Sequence, residues 1–250
     1  MLRRRARRAD YEHLGATKLR LIDHCFEHLG SRSFADLGGI WAVDGGYARY
    51  ATDVHGAERG VVVDEDFTDT YLDHERRLPA LSHVQGNFGR ADVADEVGDI
   101  DVVMLFDVLL HQVAPDWDEL LALYARQCKR FAIVQPQWNG SETVRLLELG
   151  EQEYLASIPK SQPGHGNIYD GLFERLDQIN EQRGRPWRDV HDIWQWGITD
   201  RALTQRMAEL GFGLRLYENT GPWRGLERFH ESAFVFDRET PVLSSSSLSA

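Results

Sequence analysis

SFADLGGIWAVDGGYARYA, Ser33 to Ala51, passes from strand chemistry to helix chemistry through a cluster of glycines. Phe34 to Leu37 is a short apolar segment carrying one acid, Asp36, and it runs straight into Gly38-Gly39. Tyr47, Tyr50, Ala51 and Val54 then share one helical stripe, which Gly56 stops. Glycine lets a backbone fold tightly and approach a ligand closely. The helix start beyond the turn offers free N–H groups and a positive dipole end.

The same rhythm continues outward. Gly60 to Val63 is an apolar, β-branched run ending in Asp64-Glu65-Asp66. A polar helix-like stretch reaches Leu78, where Pro79 stops it, and Leu81 to Val84 is a weak strand leading into Gln85-Gly86-Asn87-Phe88. Ile100 to Leu110, IDVVMLFDVLL, opens as the strongest strand signal, its continuous hydrophobicity that of a parallel strand covered on both faces. Asp116 and Glu119 have capping-box spacing before the helical face Trp117, Leu120, Leu121 and Tyr124. Phe131 to Val134 is a further buried strand, followed by Gln135-Pro136-Gln137. Thr199 caps a helix carrying Leu203, Met207 and Leu210, and Leu214 to Tyr217 with Ser232 to Phe236 form a closing strand pair. The alternation predicts an α/β fold, a mostly parallel sheet with helices on both faces.

Residues 139–198 interrupt it, too long for an ordinary connection. With helical pieces at Val144 to Leu149 and Leu172 to Ile179, and a Gly/Pro-rich turn at 162–167, they read as a helical insertion after the fifth strand. The insertion forms a lid, a substrate wall or a homodimer contact. Residues 1–32 form an N-terminal helical segment, with Ile22, Cys25, Phe26 and Leu29 as its apolar stripe. The main domain takes 33–138 and 199–238, and 239–250 is a Ser-rich tail expected to be disordered.

Composition narrows the function. Lys+Arg 28 against Asp+Glu 40 leaves a net charge of −12 over 250 residues, wrong for a general nucleic-acid binder. No run approaches about 20 apolar residues, which excludes a membrane-spanning helix. Cys25 and Cys128 make neither a disulfide framework nor a Cys-rich metal site. The basic start lacks the apolar segment of a secretory signal, so a cytoplasmic location is expected. Only Lys18, Lys129 and Lys160 are lysines, read as compositional bias without mechanism.

Three strand ends carry nucleoside chemistry in order. The glycine turn after Asp36 lets the backbone approach a ligand closely, Asp64 is set to accept from two ribose hydroxyls, and Asn87-Phe88 offers adenine an amide and an aromatic edge. This order resembles the class I S-adenosylmethionine-dependent methyltransferases, over Phe34 to Gln137 and again over Thr199 to Phe236. Asp36, Gly38 and Gly39 match the family's acidic and glycine-rich first motif, Asp64 its ribose acid, and Asn87 its adenine contact, commonly Asp. Ile40 to Asp44 is inserted before Gly45-Gly46, a departure from the usual glycine spacing.

The resemblance implies a Rossmann-like fold, S-adenosylmethionine as methyl donor, and Phe106 beside it. It also implies catalytic groups on the segment after the fourth strand. His111 is the candidate general base, because imidazole titrates near the working pH. A structural histidine satisfying a backbone carbonyl is the competing reading. Asp107 either orients that base or, with Gln135 or Asn139, holds a divalent metal such as Mg²⁺; His165 is the alternative base. Gln137, His191, Trp194 and Trp196 are the candidate substrate residues. Aromatic faces beside carboxylates and histidines suit a sugar or saccharide hydroxyl, although the same tryptophans would build a small core.

Three rivals stand beside a small-molecule O-methyltransferase. A metal-dependent glycosyltransferase would use Asp64-Glu65-Asp66, a nicotinamide oxidoreductase would place Asp64 on its ribose, and a non-catalytic scaffold would merely keep the fold.

Overall fold

The computed structural model describes residues 8–159 and 168–239. The arginines before Arg8, the turn 162–167 with His165, and the tail from residue 240 lie outside the described residues.

Seven strands make the central sheet: β1 Ser33–Leu37, β2 Arg59–Asp64, β3 Leu81–Gln85, β4 Ile100–Phe106, β5 Cys128–Trp138, β6 Phe212–Pro222 and β7 Phe229–Arg238. Their spatial order is β6-β7-β5-β4-β1-β2-β3. The first five are parallel, while β7 runs antiparallel to both β5 and β6. Chain order reverses between β1 and β4, and in open α/β sheets ligands bind at the carboxyl ends beside such a reversal.

β4 shows why the sheet is covered on both sides. Val103 and Leu105 pack with Val97, Leu120 and Leu203 on one face, and Val102, Met104 and Phe106 pack with Ile22, Tyr47 and Tyr50 on the other. The first face carries α4 Ala91–Val97, α5 Trp117–Ala125 and α7 Asp200–Glu209; the second carries α1 Ala16–Asp23 and α2 Gly46–His55. The expected caps are in place: Asp116 and Glu119 form a capping box, and the Thr199 hydroxyl accepts from Ala202 N. The polar stretch after β2 is helical only over α3 Asp69–Glu75, and α1 ends in a wide π turn, His24–His28. The closing strands are longer than their apolar centres predicted, because the antiparallel ladder runs from Phe212↔Arg238 to Pro222↔His230.

The insertion is less helical than expected. Val144–Arg145 pairs antiparallel with Trp196–Gly197, Leu146–Leu149 is a 3₁₀ turn, and among the described residues of the insertion only α6 Glu151–Ser157 is α-helical. Leu172–Glu174 is likewise a 3₁₀ turn, and Ile179–Asn180 pairs with Arg185–Pro186 as a short hairpin. Glycines with positive φ at 150, 171 and 184 break the apolar pattern before a long helix can form. Leu146, Tyr154, Leu172, Val190, Ile193 and Trp194 build a third core against Leu110, Trp138 and Phe229 of the main domain. No helix among the described residues is long and apolar enough to cross a membrane.

Gly60 shows how tightly the sheet is packed: an added Cβ would lie 2.3 Å from Phe34 Cζ and 2.7 Å from Leu81 Cδ2. Gly60→Ala should therefore cost about 1–3 kcal/mol by overpacking and lower the urea midpoint. An unchanged midpoint would contradict this packing.

Candidate functional site

At the end of β1, Gly38 N donates to Val63 O at 2.8 Å, and its φ of +73° belongs to the left-handed region. A Cβ there would lie 2.8 Å from Val108 Cγ1 and 3.6 Å from the Phe88 ring, so the chain passes close beneath the ends of β3 and β4. At Gly39 a Cβ would overlap the Asp36 carboxylate, 2.5 Å from Oδ2. The five inserted residues close on themselves: Asp44 N donates to Ile40 O at 2.9 Å, and Gly45 N to Gly39 O at 2.9 Å. The chain thus returns to the glycine turn before α2 begins.

Asp36 is 1% exposed, and its Oδ2 has no hydrogen-bond partner. Burial, reinforced by the nearby Asp64 charge and moderated by Lys18, pushes its pKa up to about 7. Asp64 Oδ2 accepts from Ile40 N at 3.1 Å and Oδ1 from Glu65 N at 2.8 Å. Burial raises its pKa while these backbone amides oppose the rise. Asn87 Oδ1 accepts from Gly89 N at 2.8 Å, and its amide nitrogen donates to Glu65 Oε1 at 3.1 Å. Asp36, Gly38, Gly39, Asp64, Asn87 and Phe88 therefore gather at three adjacent strand ends. Phe106 is different: it is 8% exposed, edge-on to Tyr47 at 5.1 Å, and belongs to the core beneath the site.

Lys18, on α1, is the residue that sequence reasoning passed over. Its Nζ meets Asp107 Oδ2 at 2.5 Å and lies over the Tyr47 and Phe106 rings at 5.4 and 5.9 Å. Burial alone would lower its pKa, but Asp107, Tyr47 and Glu231 outweigh that and hold it above the ordinary lysine value. Asp107 itself has a left-handed backbone, φ +60°, and a buried Oδ1 without a partner. The cation beside Asp107 is thus an ammonium. The other proposed ligand, Asn139, is turned to Glu227 O at 2.9 Å and to His230. Among the described residues, the one cluster of three His, Cys, Asp or Glu side chains with ligand spacing is Asp23, Glu27 and His55. Of the expected set, Asp107 is thus held by Lys18 and Asn139 by Glu227 O and His230.

His111 lies in the turn Leu109–His111 just after β4. Its Nδ1 is 2.8 Å from Ile193 O, and because a carbonyl only accepts, Nδ1 carries the proton. Nε2 is then the lone-pair nitrogen, and it makes no hydrogen bond among the described residues. Burial lowers the His111 pKa, opposed by the Ile193 hydrogen bond and by Asp107, so the ring is held neutral.

The insertion delivers its candidates unevenly. Trp194 is 3% exposed and packs edge-on against Trp223, Phe229 and His111, which makes it a support for the histidine from within the third core. Trp196 Nε1 donates to Gln112 O at 2.8 Å, and Arg145 stacks over its ring at 5.2 Å. His191 Nε2 donates to Val113 O at 2.8 Å, and its Nδ1 faces the Asn87 amide nitrogen at 3.4 Å. Gln137 is fully buried with neither amide atom paired, and so is Gln135 on the same face of β5.

No protein-family model matches the sequence, and no curated relative does. Solved structures do. The 1,6-didemethyltoxoflavin-N1-methyltransferase of Burkholderia thailandensis, with S-adenosylhomocysteine bound, gives a TM-score of 0.56 at 13% identity, covering 90% of this chain and 79% of that one. The N-terminal domain of EvdMO1, in the presence of S-adenosylhomocysteine and D-fucose, gives 0.57 at 11% identity, covering 90% and 84%. Human N-acetylserotonin methyltransferase, in complex with S-adenosylmethionine, gives 0.51 at 16% identity, covering 95% and 56%. The chain spans about half the length of that human enzyme and of an O-methyltransferase family protein from Burkholderia thailandensis, 56% and 55%. At such identities the likeness is one of fold: the chain has the Rossmann-like α/β fold of the class I S-adenosylmethionine-dependent methyltransferases.

The strand ends therefore combine a buried carboxylate with one oxygen unpaired, an ammonium, a second carboxylate held by backbone amides and a neutral imidazole with one free lone pair. NMR titration should find His111 protonated at Nδ1 alone at pH 7, with its midpoint below that of a free imidazole. The unfolded chain binds the proton more readily, so His111 contributes a loss of stability as pH falls below about 6.5. A charged His111 at pH 6.5 would contradict the burial argument.

Proposed function

We propose that the protein is a methyltransferase that uses S-adenosylmethionine and acts on a small-molecule acceptor. The observation that carries this reading is the buried Asp36 Oδ2, which has no partner, within electrostatic reach of the Lys18 ammonium that Asp107 holds at the end of β4. An unpaired buried carboxylate beside an ammonium is complementary to a zwitterionic amino acid, and Asp64 with Asn87-Phe88 is complementary to a nucleoside. A ligand that contains both halves is S-adenosylmethionine. Asp36 would receive its ammonium, Lys18 its carboxylate and Asp64 its ribose hydroxyls. Bound there, it supplies a methyl group on a positively charged sulfur. Dinucleotides and nucleotide sugars instead bring phosphates, which a buried Asp36 carboxylate would repel.

The acceptor we infer is a hydroxyl, with a sugar or saccharide as its carrier. His111 supports this reading, because its neutral ring offers Nε2 for an acceptor proton while Nδ1–H on Ile193 O fixes the ring's orientation. The buried, unpaired amides of Gln135 and Gln137 offer donors and acceptors to a hydroxylated ligand near the same strand end. Alignment of acceptor and donor would supply much of the acceleration, and proton removal about 10²–10⁴-fold more.

His111→Ala should keep S-adenosylhomocysteine affinity in calorimetry and lose about 10²–10⁴-fold in turnover once an acceptor is found. Unchanged turnover would remove His111 from the mechanism. Asp36 predicts a pH dependence for the cofactor itself. A carboxylate holds an ammonium and a carboxylic acid does not, so affinity should be highest above pH 7 and weaken as pH drops through about 7. Asp36→Asn should bind weakly and flatten that profile. A pH-independent affinity between pH 6 and 8 in the unaltered protein would contradict the role given to Asp36.

A further inference from the structure

The hairpin of the insertion reaches across the sheet to the ends of β2 and β3, the nucleoside side of the site. Its turn is organised by Asn180, whose Oδ1 accepts from Gln182 N at 3.0 Å and Arg183 N at 3.1 Å. From this turn Arg183 holds Asp192 with two hydrogen bonds, 3.0 and 2.8 Å, and Glu65 Oε2 with a third at 3.0 Å. Glu65 immediately follows the ribose acid Asp64, and its other oxygen accepts from Asn87. His191 meets Asn87 from the opposite side. Glu65, Gln182, Arg183, Arg185, Val190 and His191 enclose a cavity of about 210 Å³.

We propose that this hairpin is the outer wall of the nucleoside site and that the cavity holds the purine base, stacked on Arg185 and hydrogen-bonded by Gln182 and Asn87. The proposal rests on the methyltransferase reading and adds to it the residues that would select the base. The cavity is smaller than the roughly 300–1,000 Å³ of a site for a whole drug-sized ligand, which fits one ring system. Its charges balance, Arg183 and Arg185 against Glu65 and Asp192, so it suits a neutral ring more than a phosphate. Arg185 Nη1 donates to Asp189 O at 3.4 Å and lies 3.5 Å from His191 Nε2, while Nε and Nη2 make no hydrogen bond among the described residues, so the planar guanidinium is held at one corner and keeps a face for a π system. The neutral His191 donates through Nε2 to Val113 O, so its Nδ1 faces Asn87 as an acceptor and fixes the direction of that amide. In this arrangement the insertion selects the cofactor as well as the acceptor.

Calorimetric titration with S-adenosylhomocysteine and, separately, with adenosine tests the assignment. Arg185→Ala and Gln182→Ala are the variants, with melting temperatures measured alongside. Arg185→Ala should weaken both ligands at least tenfold and Gln182→Ala both by about threefold, with melting temperatures unchanged. Asp36→Asn should weaken S-adenosylhomocysteine and spare adenosine, because it touches only the amino-acid half. If the unaltered protein binds S-adenosylhomocysteine and both hairpin variants stay within twofold of it, the hairpin proposal is overturned and the cofactor reading stands. Loss of S-adenosylhomocysteine with adenosine unaffected in Arg185→Ala also overturns it, since the base would then lie elsewhere. If the unaltered protein binds neither ligand, both readings fall together.

Discussion

Asp36 carries a carboxylate into the interior at the end of β1, and much of the site's geometry answers the cost of burying it. A buried, unpaired carboxylate is expensive enough that it shifts its pKa toward neutrality, and here burial with the Asp64 charge lifts it to about 7. The space around it is equally constrained, since Gly39 lies where any Cβ would overlap Oδ2. Opposing charge arrives from outside the sheet, as Lys18 on α1. That lysine also compensates Asp107, whose strained backbone closes β4. The N-terminal helix is therefore tied to the site by an ion pair as well as by its apolar stripe. Removing Lys18 would leave Asp107 without its cation, the situation in which breaking a partly buried pair is most damaging.

The insertion works on both sides of this centre. Through Ile193 O it fixes the tautomer of His111, and through Arg183 and His191 it reaches Glu65 and Asn87 on the far strands. One segment, inserted after β5, thus touches the ends of β2, β3 and β4. The third core makes that span rigid, with Trp194 wedged between Trp223, Phe229 and His111.

Much of the sheet was legible because its signals are local. β4 is a continuous apolar run, Gly38 and Gly45 after β1 sit where the turn needs positive φ, and Asp116-Glu119 and Thr199 cap their helices through neighbouring backbone. The strand-end acids and Asn87 were legible for the same reason, each lying at the close of its own strand. What was missed depends on contacts distant in sequence. Lys18 is 89 residues from Asp107, and nothing in its own helix marks it. Trp194 and Phe106 carry residue types that suit a binding surface, and only packing shows that they are buried. The apolar residues of 144–149 and 172–179 fit a helical stripe, yet Gly150 stops the first after one turn and the second gives way to the hairpin strand Ile179–Asn180. The Arg183 contacts to Glu65 and Asp192 have no signature in one dimension, because a charge cluster is most often solvated.

The central claim is that the strand ends bind a nucleoside joined to an amino acid. Thermal unfolding with S-adenosylhomocysteine, NAD or a uridine diphosphate sugar plus Mn²⁺ tests it most directly, because each contains a nucleoside and only the first joins it to an amino acid. S-Adenosylhomocysteine at about a hundredfold above its Kd should add about 2.7 kcal/mol, a rise of roughly 5–10 °C in melting temperature for a chain of this size. The two phosphate-bearing ligands should leave the transition where it is. A transition unmoved by millimolar S-adenosylhomocysteine, or one raised by the nucleotide sugar with Mn²⁺, would contradict the account.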